Sequence, residues 1–554
     1  MTATSKRSFG GRVLRAGIAV GIAHLLFKLA GVVQAWAMSR YLPPGDYDAI
    51  YALAFENGIF MLFLIGEEGI APAFLPVFLH ERGDTPDGER RAWSFANAFL
   101  TLQALVLVSV VVFLVLRPDA FVRLVSFWSP DKCAEHFSRA VYAIRHLAPA
   151  LLGLSLGSTT YVLLNGYKRF FLAAFGDAVW KFTVVAALLC FAFRANDAGA
   201  VLIWGLVAGS VLKLATHLVG LRDKLHFLRP SFAWNTPAMK SLLWLSLPLL
   251  AGILFAKVRD VVNNVYVLSA LNADGLMQAN SLGRKLQDLL RWIIPYTLSI
   301  AIFPFFCEMV DHDDKKALGD FITRSGRQLI AVFLPFAAVV AVLARPLTSF
   351  LFSGGHFDAL AVQRTSVSMA CYTFALPAAA IEAILMQAFF ANRRMLSVSI
   401  VGIVFSAFSI VVSLLGLRFS QGNGLLFLGI VAGGFSLSRW LKSTTLVLLL
   451  RRNAPVFDFR QTISFLAKVL LASLLTAFLA RYALVGVNHL LLPLCLPQRL
   501  VDLLGIAMPG ALAVGVLFGL FMLMRVREPF ELLELAKKAM VSRTPRKDST
   551  EKEM

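Results

Sequence analysis

Residues 48–81 read DAIYALAFENGIFMLFLIGEEGIAPAFLPVFLHE, an apolar stretch that carries three carboxylates, Glu56, Glu67 and Glu68. About 20 apolar residues are enough for a helix to cross a bilayer, and this stretch is longer than that. An ionised side chain inside a membrane helix costs at least about 2.5–3.5 kcal/mol on insertion scales unless it faces a partner or water. The stretch therefore predicts a membrane helix whose glutamates face the inside of the protein rather than lipid.

The rest of the chain has a similar composition. Of its 554 residues, 58% are hydrophobic and only 16% are charged, and the mean hydropathy is +0.72. These values exclude an ordinary soluble protein and a disordered one. Apolar windows of about 20 residues predict an all-α polytopic membrane protein with about fourteen transmembrane helices. The windows are 16–38, 49–78, 96–116, 146–166, 171–193, 198–220, 242–270, 283–307, 328–351, 367–391, 396–416, 424–450, 463–485 and 501–524.

The net charge of +20 is spread over short loops and both tails. This distribution argues against a nucleic-acid partner. It follows the positive-inside rule when the basic N-terminal tail is placed in the cytoplasm, which puts both termini there. The five cysteines include no CxxC pair, so no metal site or disulfide framework is predicted. No P-loop occurs, so ATP is not the expected direct energy source, and no catalytic residue is predicted.

An internal repeat is visible in the sequence. AFLPVF at 73–78 is echoed by AIFPFF at 301–306, and Arg117-Pro118 is echoed by Arg345-Pro346 at the same offset. Because six predicted spans separate the copies, the sequence predicts two parallel six-helix lobes with the substrate path between them. The predicted segments are a cytoplasmic tail (1–15), an N-lobe (16–220), a cytoplasmic linker (221–241), a C-lobe (242–450), two appended helices (451–524) and a cytoplasmic tail (525–554).

Four short motifs follow one another along the chain. They are Asp48-Ala49, GEEGIAPAFLP at 66–76, LNGYKRF at 164–170 and FSGGHF at 352–357. Together they resemble the signatures of the MurJ (MviN) lipid II flippase family, which belongs to the multidrug/oligosaccharidyl-lipid/polysaccharide exporter superfamily. The residues at family motif positions are Asp48, Glu68, Gly69, Asn165 and Arg169.

The resemblance implies a transporter, not an enzyme. Its expected substrate is lipid II, an undecaprenyl-pyrophosphate-linked peptidoglycan precursor, carried by alternating access from the cytoplasmic to the outer leaflet of the bacterial inner membrane. The expected partners are this lipid-linked anionic saccharide and the membrane lipids, and the chain is expected to act as a monomer. No cofactor is expected. Coupling to the membrane potential and coupling to a monovalent ion both stay open.

A flippase for a diphosphate needs cations in its central cavity, because Lys and Arg compensate an anion whose dehydration is costly. The candidate cavity residues are Lys28, Gln34, Arg259, Arg284, Lys285 and Arg291. The family has two arginines and an aspartate in span one where this chain has Lys28, Gln34 and Ala35, and its next arginine falls near Phe63. Lys lacks the planar fork of Arg. These departures keep open an exporter of another lipid-linked oligosaccharide.

Spacing along single helices predicts how some charges pair. Asp288 lies four residues after Arg284 and is expected to neutralise one arginine of its face. Lys257 and Asp260, three residues apart, are expected to pair and to leave Arg259 for the cavity.

A structural pair is likewise expected between Asp177 and Lys181, which are four residues apart. The sequence assigns no face to the other intramembrane charges, Lys213, Glu382 and Lys468.

The three glutamates of the opening stretch are the candidates for gating or ion coupling. Glu56 and Glu67 are eleven residues apart, which on an α-helix returns to within about 20° of one face, so they can line one wall. Glu67 and Glu68 are adjacent and could share a proton. Gly66 and Gly69, with two prolines beyond them, predict a helix that bends during gating, and the alternative is a local kink without function.

Two further functional classes stay as alternatives to a flippase. A cation-coupled drug antiporter of the same superfamily would need acidic sites in an otherwise apolar cavity, and the net basic face of span eight argues against it. A non-transporting membrane scaffold would keep the fold and lose the cavity charges.

Overall fold

The computed structural model of the protein describes residues 27–83, 87–291, 306–310, 312–392, 394–491, 493, 496–531 and 534. Within these ranges the chain forms helices joined by short turns, which satisfies backbone hydrogen bonds inside each segment. The helices are α1 (27–41), α2 (Pro44–Arg82), α3 (Gly88–Leu116), α4 (Pro118–Val125), α5 (Ala134–Leu147), α6 (Ala150–Gly166), α7 (Phe170–Ala192), α8 (Ala198–Gly220), α9 (Pro237–Val261), α10 (Leu276–Arg291), α11 (Lys315–Phe352), α12 (Ala359–Ala391), α13 (Met395–Phe419), α14 (Gly424–Leu450), α15 (Phe459–Leu491) and α16 (Gln498–Leu523).

Ten helices of the described ranges are long and apolar enough to cross a membrane, or twelve when each of two bent helix pairs is taken as one span. Each of the twelve coincides with a window predicted from hydropathy. The other two predicted spans, 16–38 and 283–307, run into residues outside the described ranges. The all-α polytopic membrane fold is confirmed, and the count of fourteen stays a prediction.

The chain divides into two compact units. Of the described residues, the first unit comprises those up to Leu282 together with Leu351–Thr365 and Gly402–Val431. The second unit comprises those within Gly283–Phe350, those within Ser366–Val401 and those from Ala432 onward. In the first unit, buried aromatic and aliphatic side chains of α2, α5, α6 and α8 form a continuous core. The predicted lobe boundaries, with a linker at 221–241, stay predictions.

Helix α2, which contains the opening stretch of the sequence, is irregular in its first half. Tyr47–Ile59 is π-helical, a feature that hydropathy did not predict, and the remainder, Phe60–Arg82, is α-helical. Segments of π-helix are rare in proteins, and many of those that occur lie at functional sites. The α-helical part continues through Gly66 and Gly69 and contains both prolines, so the helix does not end at the glycines in this structure.

Two motif residues of α2 fix its neighbours. Asp48 is buried and accepts hydrogen bonds from the backbone N–H groups of Gly275 and Gln278, both at 2.8 Å, so it caps the beginning of α10. Gly69 lies where α2 meets α9, and a Cβ atom there would overlap the side chain of Leu250. These positions therefore serve helix packing.

The LNGYKRF turn connects α6 to α7 and also fixes the end of α8. Arg169 donates to both carboxylate oxygens of Asp223, at 2.6 and 2.7 Å, and to the Gly220 carbonyl. The side chain of Asn165 hydrogen-bonds to Tyr161 one turn earlier on α6. A bidentate Arg–carboxylate pair specifies geometry as well as energy. The motif therefore holds three helix ends together.

Candidate functional site

The predicted carboxylate Glu67 lines a small polar cavity inside the first unit. The cavity has a volume of about 20 Å³ and is enclosed by α2, α3 and α6, and the other polar residues lining it are Gln103, Ser155, Ser158 and Thr159. Gln103 is oriented by two hydrogen bonds, since its Oε1 accepts from the Thr159 hydroxyl at 2.7 Å and its Nε2 donates to the Ser155 carbonyl at 3.1 Å. In the described ranges Glu67 has neither an ion-pair partner nor a hydrogen bond.

Two ion pairs lie around Glu67. The Lys213 ammonium of α8 is 2.7 Å from Asp177 Oδ1 of α7, and the lysine side chain is only 2% exposed. The Lys257 ammonium of α9 is 2.9 Å from Glu68 Oε1. Both pairs act electrostatically on Glu67. Because each cation is matched by its own carboxylate, Glu67 carries the charge that these pairs leave uncompensated.

The pair between Lys257 and Glu68 corrects a prediction. Lys257 was expected to pair with Asp260 on its own helix, but Asp260 accepts from Arg259 at 2.7 Å. Helix α2 packs against α9 and offers Lys257 a carboxylate from outside its own helix. Arg259, predicted to be left for the cavity, is therefore an ion-paired side chain that is 10% exposed.

The predicted pair of Asp177 and Lys181 is also wrong, because the partner of Asp177 comes from α8. Lys181 instead donates to Gln34 Oε1 at 3.0 Å. Its ammonium is 5.7 Å from the centre of the Phe27 ring, and the ammonium of Lys28 is 5.9 Å from the same ring. Lys28, Gln34 and Lys181 thus form a basic group on α1 and α7, here called the lysine group. It contains two predicted cavity residues and one that sequence reasoning had paired elsewhere.

Lys213 is a further site residue, and the sequence did not indicate which way its side chain faces. Its ammonium lies 5.0 Å from the centre of the Phe63 ring, the position near which the family pattern has an arginine. The chain thus brings a cation to this place from α8 instead of from α2. The sequence signal was a lysine inside a span, and it gave no indication of which helix supplies the partner.

Glu56 contacts a different part of the first unit from Glu67. Its Oε2 accepts a hydrogen bond of 2.7 Å from the Ser281 hydroxyl of α10, whereas Glu67 faces α3 and α6. The expectation that the two glutamates line one wall assumed α-helical spacing. The π-helical segment that contains Glu56 changes that spacing, and the two carboxylates lie in separate environments.

In the second unit, the predicted pairing of Arg284 with Asp288 is confirmed at 3.4 Å. The Arg284 guanidinium also lies 5.2 Å from the centre of the Phe435 ring. Lys285 is half-buried next to it. The side chain of Arg291 lies outside the described residues.

A second carboxylate of the membrane helices, Glu382 on α12, has two cationic partners. Arg439 donates to both of its oxygens at 2.9 and 3.1 Å, and the Lys442 ammonium is 2.7 Å from Oε1. The carboxylate side chain is 7% exposed. Sequence reasoning missed this triad, because its cations are on α14 and the sequence does not show which helices are adjacent.

Two exposed or partly exposed groups outside the spans have shifted pKa values. The two hydrogen bonds from Arg169 lower the pKa of the Asp223 carboxyl to about 2. Hydrogen bonds from Arg139 lower the pKa of Asp197, the residue that caps the beginning of α8. Both carboxylates are therefore ionised at neutral pH and hold their helix ends through charge-assisted hydrogen bonds.

The residues described here suit binding and movement of ions. In the described part of the chain no group of three or more His, Cys, Asp or Glu side chains could hold a metal ion. The first unit has cationic side chains on α1 and α7 and carboxylates on α2, and groups of these charges attract anions and cations respectively.

Comparison with known proteins gives the same family over most of the chain. The family model described as "Lipid II flippase MurJ" matches residues 38–502. The lipid II flippase MurJ of Burkholderia cenocepacia is 25% identical over 69% of this chain and 74% of its own length. The probable lipid II flippase MurJ of Haemophilus influenzae is 21% identical over 84% of this chain and 91% of its own length.

Solved structures agree at the level of the fold. A lipid II flippase MurJ in an inward closed conformation has a TM-score of 0.69 at 16% identity, covering 91% of this chain and 99% of that one. An inward-facing multidrug resistance transporter of the MATE family, which belongs to the MOP superfamily, has a TM-score of 0.64 at 13% identity; the match covers 79% of this chain and 97% of that one. From the match over residues 38–502, the chain belongs to the lipid II flippase MurJ family.

Proposed function

We propose that this chain moves lipid II from the cytoplasmic to the outer leaflet of the bacterial inner membrane by alternating access. Lipid II flipping is the activity for which its family is named, and the chain is a transporter rather than an enzyme. The observation that carries the proposal is the family match over residues 38–502 of a polytopic helical chain. We further propose that the chain acts as a monomer with both termini in the cytoplasm.

The lysine group supports an anionic substrate. Lys28 and Lys181 flank one aromatic ring within the first unit, and Gln34 accepts from one of them. Ammonium groups form strong charge-assisted hydrogen bonds to phosphate oxygens, so this group suits a diphosphate. We propose that Lys28, Gln34, Lys285 and the arginines Arg259, Arg284 and Arg291 line the substrate path.

Complementation tests this function. The chain is expressed in a bacterial strain depleted of its own lipid II flippase, and we expect growth and normal cell shape to be restored. Failure to restore growth despite normal amounts of the protein in the membrane would contradict the proposal.

Variants of the cavity lysines test the anion path in the same strain. Lys28→Ala and Lys285→Ala each remove a cation, and a hydrogen bond to a charged group contributes about 1.5–3 kcal/mol, so flipping should slow by on the order of tenfold or more. Lys132→Ala, on an exposed loop, is the matched control and should leave growth unchanged. Full growth of both cavity variants would rule out the cationic path.

A further inference from the structure

The cavity at Glu67 contains a charge that the surrounding protein does not balance. Asp177 has Lys213, Glu68 has Lys257, and Glu67 has no cation of its own in the described residues. Glu67 is partly exposed, and a carboxylate in a membrane helix is favoured when a cation lies beside it. The first unit therefore has room for one more positive charge next to Glu67.

Neutral oxygen atoms complete this side of the cavity. Ser155 and Ser158 are 6% and 5% exposed, and within the described residues neither hydroxyl makes a hydrogen bond. Both lie one turn apart on the face of α6 that lines the cavity. Because these residues line the cavity and their hydroxyl groups have no partner in the described residues, the hydroxyl oxygens are available to a ligand. Their position beside Glu67 indicates a ligand that is coordinated by oxygen atoms.

The size and the donor set restrict that ligand. A volume of about 20 Å³ holds one water-sized particle. Divalent cations take six to eight oxygen ligands, usually including several carboxylates, or keep much of their water. One carboxylate with hydroxyl and amide oxygens suits a dehydrated monovalent cation better. Gln103 Oε1, which is held in place by Thr159, adds a further neutral oxygen to the lining.

We propose that Glu67, Ser155 and Ser158, with Gln103, form a binding site for a monovalent cation of the size of Na⁺ inside the first unit. Binding balances the Glu67 charge while the Lys213–Asp177 and Glu68–Lys257 pairs keep their own partners. A role of this site in driving transport rests on the proposed flippase function. Cation binding itself does not, and it is measured without lipid II.

Thermal unfolding of the purified full-length chain tests the site. The melting temperature is measured in NaCl and in choline chloride at equal ionic strength and neutral pH, because choline is too large for the cavity. We expect a saturable rise in Tm with Na⁺. A wild-type protein whose Tm does not distinguish Na⁺ from choline would overturn the proposal.

Matched variants locate the effect. Glu67→Gln should abolish the Na⁺-dependent rise, whereas Asp119→Asn, at an exposed carboxylate outside the cavity, should keep it. Ser158→Ala should lower the apparent Na⁺ affinity by on the order of tenfold, whereas Ser109→Ala, on the exposed side of α3, should not. If Glu67→Gln does not fold, the comparison of Ser158→Ala with Ser109→Ala decides the outcome. A full Na⁺ response in either Glu67→Gln or Ser158→Ala would place the cation elsewhere.

The two proposals fail separately. If the Tm of the wild-type protein does not respond to Na⁺, the proposed flippase function is not contradicted, since the measurement contains no lipid II. Failure of complementation with an intact Na⁺ response would contradict the flippase function alone.

Discussion

Glu67 and Glu382 are both carboxylates of membrane helices, and their surroundings differ. Glu382 is held by Arg439 and Lys442 at hydrogen-bonding distances, and its side chain is 7% exposed. Glu67 lines a cavity, and the two cations around it, Lys213 and Lys257, are ion-paired with other carboxylates. A carboxylate with its own partners stabilises one packing arrangement, whereas one that lacks them can exchange an ion. The environment of Glu382 therefore suits a structural role, and the environment of Glu67 suits the binding and release of an ion.

The largest expected effect is on stability at Glu382. Glu382→Gln leaves two buried cations next to each other without a counter-charge, so the free energy of unfolding should fall by about 3–5 kcal/mol. Thermal unfolding of the purified variant measures the change. Asp119→Asn serves as the control, because the Arg117–Asp119 pair is exposed and contributes at most about 1 kcal/mol. A wild-type Tm for Glu382→Gln would mean that the triad is not structural.

The same kind of contrast is expected between two glycines of α2. Gly69→Ala forces a methyl group against Leu250 at the contact with α9, and overpacking of this kind costs about 1–3 kcal/mol. Gly66→Ala is the matched control, since a Cβ atom there meets nothing within 4 Å. It should be neutral or stabilise the helix by up to about 1 kcal/mol. Equal melting temperatures for the two variants would contradict the close approach of α2 and α9.

A smaller effect is expected at Glu67. In choline chloride, Glu67→Gln should change the free energy of unfolding by less than about 1 kcal/mol, because the substitution breaks no ion pair or hydrogen bond of the described chain. The measurement is the same thermal unfolding, compared directly with Glu382→Gln. A loss as large as that of Glu382→Gln would show that Glu67 is also a structural partner, and the contrast between the two carboxylates would disappear.

The smallest effect is expected at the surface pair of Arg169 and Asp223. Because the pKa of Asp223 is lowered to about 2 in the folded state, the ionised carboxylate stabilises the fold above the pKa of the unfolded chain, about 4. This contribution is lost as the pH falls from about 4 to about 2. Asp223→Asn should therefore lower Tm slightly at pH 7, and the difference from wild type should shrink below pH 4. A difference that is constant with pH would contradict the charged pair.

The spans could be predicted from the sequence because the bilayer fixes their length and hydropathy. The partners of charges could be predicted only within one helix, as for Arg284 and Asp288. Lys257 and Asp177 form ion pairs with residues of neighbouring helices, and the sequence does not show which helices are adjacent.

The environment of Glu67 could be predicted only in part. A carboxylate in a span indicated a functional position, but the cavity is formed by serines and a glutamine of α3 and α6 that carry no motif. The π-helical segment of α2 was likewise not predictable, because an apolar run indicates that a segment crosses the membrane and not which helical hydrogen-bond pattern it forms. The family motifs Asp48 and Arg169 proved to hold helix ends together.

The most direct test of the central claim is the appearance of lipid II in the outer leaflet. In cells depleted of their own flippase and expressing this chain, a membrane-impermeant reagent that modifies lipid II only at the outer surface should convert it as in undepleted cells. Cells that express Lys28→Ala should convert on the order of tenfold less in the same time. If lipid II stays inaccessible to the reagent while the wild-type chain is present in the membrane in normal amounts, the chain does not flip lipid II.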